Sequence, residues 1–126
     1  NPKSLVLEEI LGNLINIAKA DGKINADEIS YLEQVGIIFG FDQIKLHQLL
    51  AIYGASNDDD PFIILGIEFN ATDTEIKKAY RQLTLKNHPD KLIAEGMPEE
   101  FIRQATDKMA SINDAYIRLM QKRNST

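Results

Sequence analysis

The tripeptide His88-Pro89-Asp90 sets two polar side chains on either side of a proline. Proline fixes its own φ angle and disfavours a helical conformation for the residue before it. The tripeptide therefore predicts the end of a helix, followed by a stiff and exposed turn that displays His88 and Asp90. Such a turn is suited to presenting polar groups to a partner.

The same residue types give little support for catalysis or for a bound metal. The two histidines, His47 and His88, are far apart in the sequence, and there is neither a cysteine nor a metalloprotease or phosphate-loop motif. His47 is expected to be a surface or partly packed helix residue. The segment from Gly22 to Glu28 has part of the EF-hand spacing, but apolar and basic residues occupy the first two ligand positions. We expect no enzyme activity, no metal and no cofactor.

A basic amphipathic helix is predicted directly before the tripeptide. Its apolar residues share one face, and its cations are expected to face outward. The cations in this helix and after the tripeptide are Lys77, Lys78, Arg81, Lys86 and Lys91. A stripe of this kind can dock an acidic protein surface, and the alternative is a merely solvated helix face. The stripe leads into an exposed turn, which favours docking.

Charge is distributed unevenly along the 126 residues, whose net charge is −5. Residues 1–60 contain 4 basic and 10 acidic residues, whereas residues 61–126 contain 10 basic and 9 acidic residues. The asymmetry predicts two modules with different partners. The longest uncharged run, 46–57, is too short and too polar to span a bilayer. The chain begins with asparagine, so we expect it to be a fragment of a longer protein.

The first half of the chain predicts three helices, and no segment alternates with a period of two for long enough to form a strand. The expected N-caps are Ser4, Asn25 (in a capping box with Glu28) and Asp42, and the expected helix ends lie near Ala20, Gly40 and Gly54. Residues 56–60 are expected to link a helical module at 1–55 to a second module at 61–123.

The second half predicts a short helix followed by an antiparallel helical hairpin. The short helix should start at Pro61 and end at Gly66, and the next should run from a Thr72–Glu75 capping box to about Asn87. Residues 88–97 are expected to form a loop, and a long helix should extend from Pro98 to Arg123. Its apolar residues recur every three or four positions, which favours packing against the preceding helix.

Residues 60–120 resemble the J domain of the DnaJ co-chaperones. Four blocks carry the resemblance, in order and at fitting spacings: Asp60-Pro61-Phe62 through Leu65-Gly66-Ile67, Glu75 through Arg81, His88-Pro89-Asp90-Lys91, and Ile112 through Tyr116 with Leu119. The resemblance implies an all-α fold in which a short helix packs on a helical hairpin.

The resemblance also implies a partner, a DnaK-type seventy-kilodalton heat-shock chaperone. Proteins of this family bind the chaperone's ATPase domain through the basic helix, and they need the tripeptide to stimulate ATP hydrolysis. The implied partner-binding residues are His88, Pro89, Asp90, Lys77, Lys78, Arg81, Lys86 and Lys91. Asp90 would pair with an arginine of the partner, and Pro89 would preset the turn. His88 would either hold the loop or contact the partner.

Some positions depart from the family pattern. Asn87 stands where an aromatic residue is common, so looser packing is expected at the hairpin tip. Gln82 replaces a frequent basic residue, which would slightly reduce the docking charge. A fourth helix, a Gly/Phe-rich segment and a zinc module are not recognisable, so no segment for binding unfolded clients is expected here.

The first module carries a weaker resemblance. The stretch Ile17 through Ile24, with Glu28, resembles the later part of a TerB-like helical domain. A TerB-like domain before a J domain, with the loop at 91–98, resembles the DjlA-type J proteins. That resemblance implies a cytoplasmic chain from a full-length protein anchored in the inner membrane. Apolar residues such as Leu5, Ile15 and Phe39 would pack either on the J domain or on a second copy in a homodimer.

Two other functions remain as alternatives. The first is a J-like interaction scaffold that binds without activating a chaperone, and the intact tripeptide argues against it. The second is nucleic-acid binding through the basic helix. The acidic net charge and the lack of stacking aromatic residues on that face argue against the second.

Overall fold

The computed structural model describes residues 2–20, 22–54 and 60–124 of the chain. All regular secondary structure within these residues is helical, which confirms the predicted fold class. The helices are α1 (Pro2–Ala18), α2 (Ala26–Ile38), α3 (Gln43–Ile52), α4 (Pro61–Leu65), α5 (Asp73–Asn87), α6 (Pro89–Ala94) and α7 (Glu99–Asn124).

Local capping signals place most of the helix starts correctly. The Thr72 hydroxyl accepts a hydrogen bond from the Glu75 amide at 3.1 Å, and the Glu75 carboxylate accepts one from the Thr72 amide at 2.9 Å. Asn25 and Glu28 form the same reciprocal box at the start of α2. Each box satisfies two amides that have no partner within the helix, so the start of the helix is fixed by nearby residues alone.

The start of the chain differs from the prediction. Helix α1 begins at Pro2, so Ser4 lies within its first turn rather than at its N-cap. Proline is tolerated there because the first amides of a helix lack an intrahelical acceptor. Asp21 and four of the five predicted linker residues, 56–59, lie outside the described residues, so the division into two modules stays a prediction.

One apolar core contains residues from both predicted modules. Ile15 of α1, Leu49 of α3, Leu65 of α4 and Ile112 of α7 are all buried in the same cluster. Leu5 of α1 is buried in a smaller cluster with residues of α6 and α7. Leu5 thus packs on the second half of the chain and Ile15 lies in the common core, while pairing with a second copy stays a prediction.

Helices α5 and α7 form the predicted antiparallel hairpin. Near the start of α5, Asp73 lies 3.2 Å from Arg123 at the end of α7. Midway along the pair, the rings of Tyr80 and Tyr116 stack with centroids 4.1 Å apart, and the Tyr80 hydroxyl donates to Asn113 at 2.6 Å. These contacts fix the register of α5, the helix that carries the basic stripe.

The predicted loop at 88–97 was wrong over its first part, because residues 89–94 form α6. Pro89 has no amide hydrogen, so α5 cannot continue through it with a complete set of hydrogen bonds. Its preset φ angle suits the first position of a helix, so the same proline can also start α6. The turn is held to the core by Leu92, which is fully buried between α1 and α7. The apolar Leu92 and the following Gly96, which has a φ of 73°, were the local signals for this helix.

Candidate partner-binding site

The tripeptide forms the junction between α5 and α6. His88 has an extended backbone (φ −64°, ψ 130°), and it is both the C-cap of α5 and the N-cap of α6. Its ring Nδ1 accepts a hydrogen bond from the Asp90 amide at 3.1 Å. That bond requires an unprotonated Nδ1, which leaves the proton of the neutral ring on Nε2. His88 thus makes a hydrogen bond within the turn, which agrees with the first of the two roles expected for it and leaves a contact with the partner as a prediction.

The carboxylate of Asp90 points outward from this junction. Its side chain is 86% exposed, and the nearer oxygen lies 3.8 Å from His88 Nδ1. An ionised carboxylate only accepts hydrogen bonds, and it can accept two in parallel from an arginine. The Asp90 carboxylate is therefore accessible to a cationic group of a partner. The hydrogen bond from the Asp90 backbone amide to His88 holds the backbone from which this side chain extends.

The basic stripe is exposed in most of its length. Lys77, Lys78, Arg81 and Lys91 all lie at the surface, as predicted. Lys86 is less exposed than the other cations of the stripe, because its Nζ lies 2.9 Å from Glu8 of α1. An internal carboxylate therefore already pairs with this cation.

Leu85 belongs to the same surface, and sequence reasoning missed it. This side chain is 67% exposed and lies one helical turn after Arg81. Singly exposed apolar side chains are common at protein surfaces, so Leu85 adds apolar area to this charged face without marking an interface by itself. The available signal was that Leu85 falls off the inward face made by Ile76, Tyr80 and Leu83.

A buried polar cluster lies beneath the end of α5, and nothing in the sequence analysis predicted it. Lys108 of α7 is 1% exposed, and its Nζ contacts Glu9 Oε1 at 2.7 Å, Glu8 Oε1 at 3.4 Å and Asn87 Oδ1 at 3.1 Å. Gln104 Nε2 donates to the second oxygen of Glu9 at 3.0 Å. Every buried side-chain polar atom in the described part of the chain has a hydrogen-bond partner. The cluster thus joins α1, α5 and α7 without an unpaired buried charge.

Asn87 is part of this cluster, so the expected loosening of the hairpin tip was wrong. Its side chain is 1% exposed, accepts from Lys108 and donates to the Leu83 carbonyl at 2.9 Å. Hydrogen bonds to α7 and to its own helix replace the packing of a larger ring. The residue directly before His88 is therefore firmly held.

The cluster shifts the pKa values of its members. Burial acts to raise the pKa of Glu8, but the nearby Lys108, Lys45 and Lys86 outweigh it and lower that pKa to about 2. Burial acts to lower the pKa of Lys108, yet Tyr53, Glu8 and Glu9 hold it above its ordinary value. Burial raises the pKa of the Tyr53 hydroxyl to about 12. Glu8 and Lys108 are both charged at neutral pH.

Acidification should weaken the fold through Glu8. Its folded-state pKa of about 2 lies below its ordinary value of 4.5. The stabilisation by the Glu8 carboxylate is therefore complete above pH 4.5, and it is lost as the pH falls towards 2. Urea unfolding of the wild-type chain and of Glu8→Gln should differ most above pH 5. This difference in unfolding free energy should shrink by roughly 3 kcal/mol by pH 2. A difference that stays constant over this range would contradict the assignment.

Neither a metal site nor a membrane span is found in the described part of the chain. No group of three His, Cys, Asp or Glu residues there could hold a metal ion. No helix among residues 2–20, 22–54 and 60–124 is long and apolar enough to cross a bilayer. His47 is exposed on α3, within the range expected for it.

Comparison with known proteins identifies the second half of the chain. The model of the DnaJ domain family matches residues 60–125, which contain α4 to α7 and the tripeptide. The chain belongs to the DnaJ domain family. This membership agrees with the short helix and antiparallel hairpin that place His88-Pro89-Asp90 at a helix junction. No solved structure gives a significant match.

Curated relatives of this J-domain protein carry the name co-chaperone protein DjlA. The protein from Shewanella oneidensis is 35% identical over 86% of this chain and 46% of its own length. The protein from Coxiella burnetii is 33% identical over 87% of this chain and 47% of its own length. The protein from Legionella pneumophila is 51% identical over 44% of this chain and 19% of its own length. The chain thus spans about half the length of the first two relatives.

Proposed function

We propose that this chain is a co-chaperone that binds a DnaK-type heat-shock chaperone and stimulates its ATP hydrolysis. The observation that carries the proposal is the intact His88-Pro89-Asp90 turn, with its carboxylate exposed beside the exposed cations of α5. The names of the relatives support the same function. In this proposal the chain regulates the chaperone's active site and has none of its own.

The tripeptide would act by offering a fixed carboxylate to the chaperone. Pro89 and the His88–Asp90 hydrogen bond hold the turn before any partner arrives, so little conformational entropy is lost on docking. Asp90 would then accept hydrogen bonds from an arginine in the ATPase domain. His88 would also be able to offer its Nε2–H to the partner, since Nδ1 is already engaged within the turn.

The exposed face of α5 would provide the docking energy and the approach. Lys77, Lys78 and Arg81, with Lys91 beyond the turn, would meet an acidic surface of the chaperone. Leu85 would add apolar contact within this charged face. Lys86 would contribute less than its neighbours, because Glu8 already neutralises it. Charge pairs of this kind mainly raise the association rate and weaken with salt.

Reversing a charge on α5 should weaken binding to the chaperone more than it lowers the maximal stimulation of ATP hydrolysis. Arg81→Glu is expected to raise the half-saturating concentration of the chain by roughly tenfold or more in a chaperone ATPase assay, since like charges would then face each other. The increase should diminish as salt is added. Lys23→Glu, which makes the same change in the exposed loop between α1 and α2, is the matched control and should behave as wild type.

Equal half-saturating concentrations for Arg81→Glu and Lys23→Glu would overturn the docking role of α5. Saturable binding of the wild-type chain with no rise in ATP hydrolysis would instead favour the interaction scaffold. Binding is best followed by fluorescence anisotropy of the labelled chain, so that docking and stimulation are measured separately.

A further inference from the structure

Helix α1 contacts the chain directly before the tripeptide. Glu8 pairs with Lys86 at 2.9 Å, and Glu9 reaches Asn87 through the buried Lys108, by contacts of 2.7 and 3.1 Å. Two successive residues at the end of α5 are thus held by two successive residues of α1. Glu8 and Glu9 both lie outside the stretch that matches the DnaJ domain.

The same helix contacts the chain directly after the tripeptide. Leu92 of α6 is fully buried, and the cluster that contains it is completed by Leu5 of α1 and Ala105 of α7. Leu5 lies one helical turn before Glu8 and Glu9, so a single face of α1 supports both flanks of the turn. Between these flanks only His88, Pro89, Asp90 and Lys91 remain.

The buried charges make this support specific in position. A buried lysine between two carboxylates is favourable only when its partners stay within contact distance, because an unpaired buried charge is costly. Both oxygens of Glu9 are engaged, one by Lys108 and the other by Gln104. A shift of α1 along α7 would break these contacts together. Apolar packing alone would tolerate such a shift more easily.

We propose that α1 is a positioning element for the tripeptide, in which Glu8, Glu9 and Leu5 act through Lys86, Lys108, Asn87 and Leu92. The inference rests on the proposed function, and it adds that the segment before the J domain takes part in setting the active geometry. These side chains would not touch the chaperone. They would determine whether a docked chain presents Asp90 in the correct place.

A positioning role predicts a split between maximal stimulation and affinity. The docking cations on the exposed face of α5 are not part of the buried cluster, so the half-saturating concentration should stay nearly unchanged. Maximal stimulation should fall by roughly tenfold, because Asp90 would no longer be held in the correct place. A variant that merely lowers stability would leave maximal stimulation intact at temperatures where it is folded.

The test compares Leu5→Ala and Asn87→Ala with Leu32→Ala in the full chain. Leu32→Ala is the matched control, because it removes the same atoms from a buried leucine, but where α1, α2 and α3 meet rather than beside the turn. Asn87→Ala is the milder variant, since it leaves Lys108 paired with both carboxylates. Circular dichroism selects a temperature at which all three are folded. Leu5→Ala and Asn87→Ala should then lose maximal stimulation, and Leu32→Ala should keep it.

Amide NMR signals provide a readout that does not need the chaperone. Leu5→Ala, which is distant from the turn in the sequence, should shift the amide signals of His88 and Asp90, whereas Leu32→Ala should not. Asn87→Ala is not used for this readout, because any substitution shifts the amide signal of the residue that follows it. Wild-type maximal stimulation in both flank variants, together with unshifted signals in Leu5→Ala, would overturn the positioning role. Failure of the wild-type chain to stimulate any DnaK-type chaperone would overturn the proposed function instead, and the NMR comparison would still decide whether α1 positions the turn.

Discussion

Asp90→Asn should abolish stimulation of chaperone ATP hydrolysis while leaving the fold intact. The carboxylate is exposed, so its removal leaves no buried group unpaired. Asparagine has nearly the same size, and the backbone amide of residue 90 can still donate to His88 Nδ1 and hold the turn. Losing one partner of a charged pair at an interface typically costs about 2–5 kcal/mol. In this account the Asp90–arginine pair forms in the stimulated state, so saturating concentrations of Asp90→Asn should not restore stimulation, and steady-state ATP hydrolysis should stay at the basal rate of the chaperone.

Glu95→Gln is the control for this change. Glu95 is an exposed acidic residue at the other end of α6, so its replacement removes the same charge from the same short helix. The control should stimulate as the wild-type chain does, and both variants should melt within a degree or two of wild type. Wild-type stimulation by Asp90→Asn would contradict the role given to the carboxylate.

Lys108→Met should cause the largest loss of stability among single changes in the polar cluster. Methionine fills a similar volume, but it leaves Glu9 with the amide of Gln104 as its only side-chain donor in the cluster and takes one cation from Glu8. Breaking a buried ion pair by removing one partner typically costs about 3–5 kcal/mol. Urea denaturation followed by circular dichroism should show a loss of this size in the unfolding free energy.

The double variant Glu9→Gln/Lys108→Met is the informative companion. Removing both charges leaves fewer uncompensated groups, so its loss should be smaller than the sum of the two single losses. Lys91→Met, an exposed lysine near the same turn, should change stability by less than about 0.5 kcal/mol. Equal losses for Lys108→Met and Lys91→Met would show that the cluster does not stabilise the fold.

The parts of the fold that were predicted correctly are those with local causes. Capping boxes at Asn25 and Thr72 involve residues three positions apart, so the sequence contains the whole interaction. The three-and-four spacing along residues 99–124 likewise contains the information for the hairpin seam. The tripeptide and its cations were found for the same reason, since a proline and a charged helix face are visible without tertiary structure.

The buried cluster could not be predicted because its partners are distant in the sequence. Lys108 pairs with residues about 100 positions away, and charged residues are assigned to solvent by default. One signal was available in retrospect, because Lys108 shares a helix face with Ala105 and Ile112, which are both fully buried. Long-range pairing of the same kind leaves Lys86 partly buried against Glu8, and it buries Asn87 fully.

Helix α6 was missed for a different reason. Its six residues are too few for a periodic pattern, so the segment was interpreted from its proline and glycine as a loop. A proline at such a position is compatible with two structures, since it prevents the preceding helix from continuing and is also favoured as the first residue of a new helix. The buried Leu92 decides between them, and its partners are Leu5 and Ala105 in distant helices.

The most direct test is single-turnover ATP hydrolysis by a DnaK-type chaperone, with the wild-type chain added at increasing concentration. The hydrolysis rate should rise and saturate with the concentration of the chain, and the rise should require the exposed carboxylate of Asp90 at the junction of α5 and α6. A rate that stays at the chaperone's basal value, with a chain shown to be folded, would contradict it.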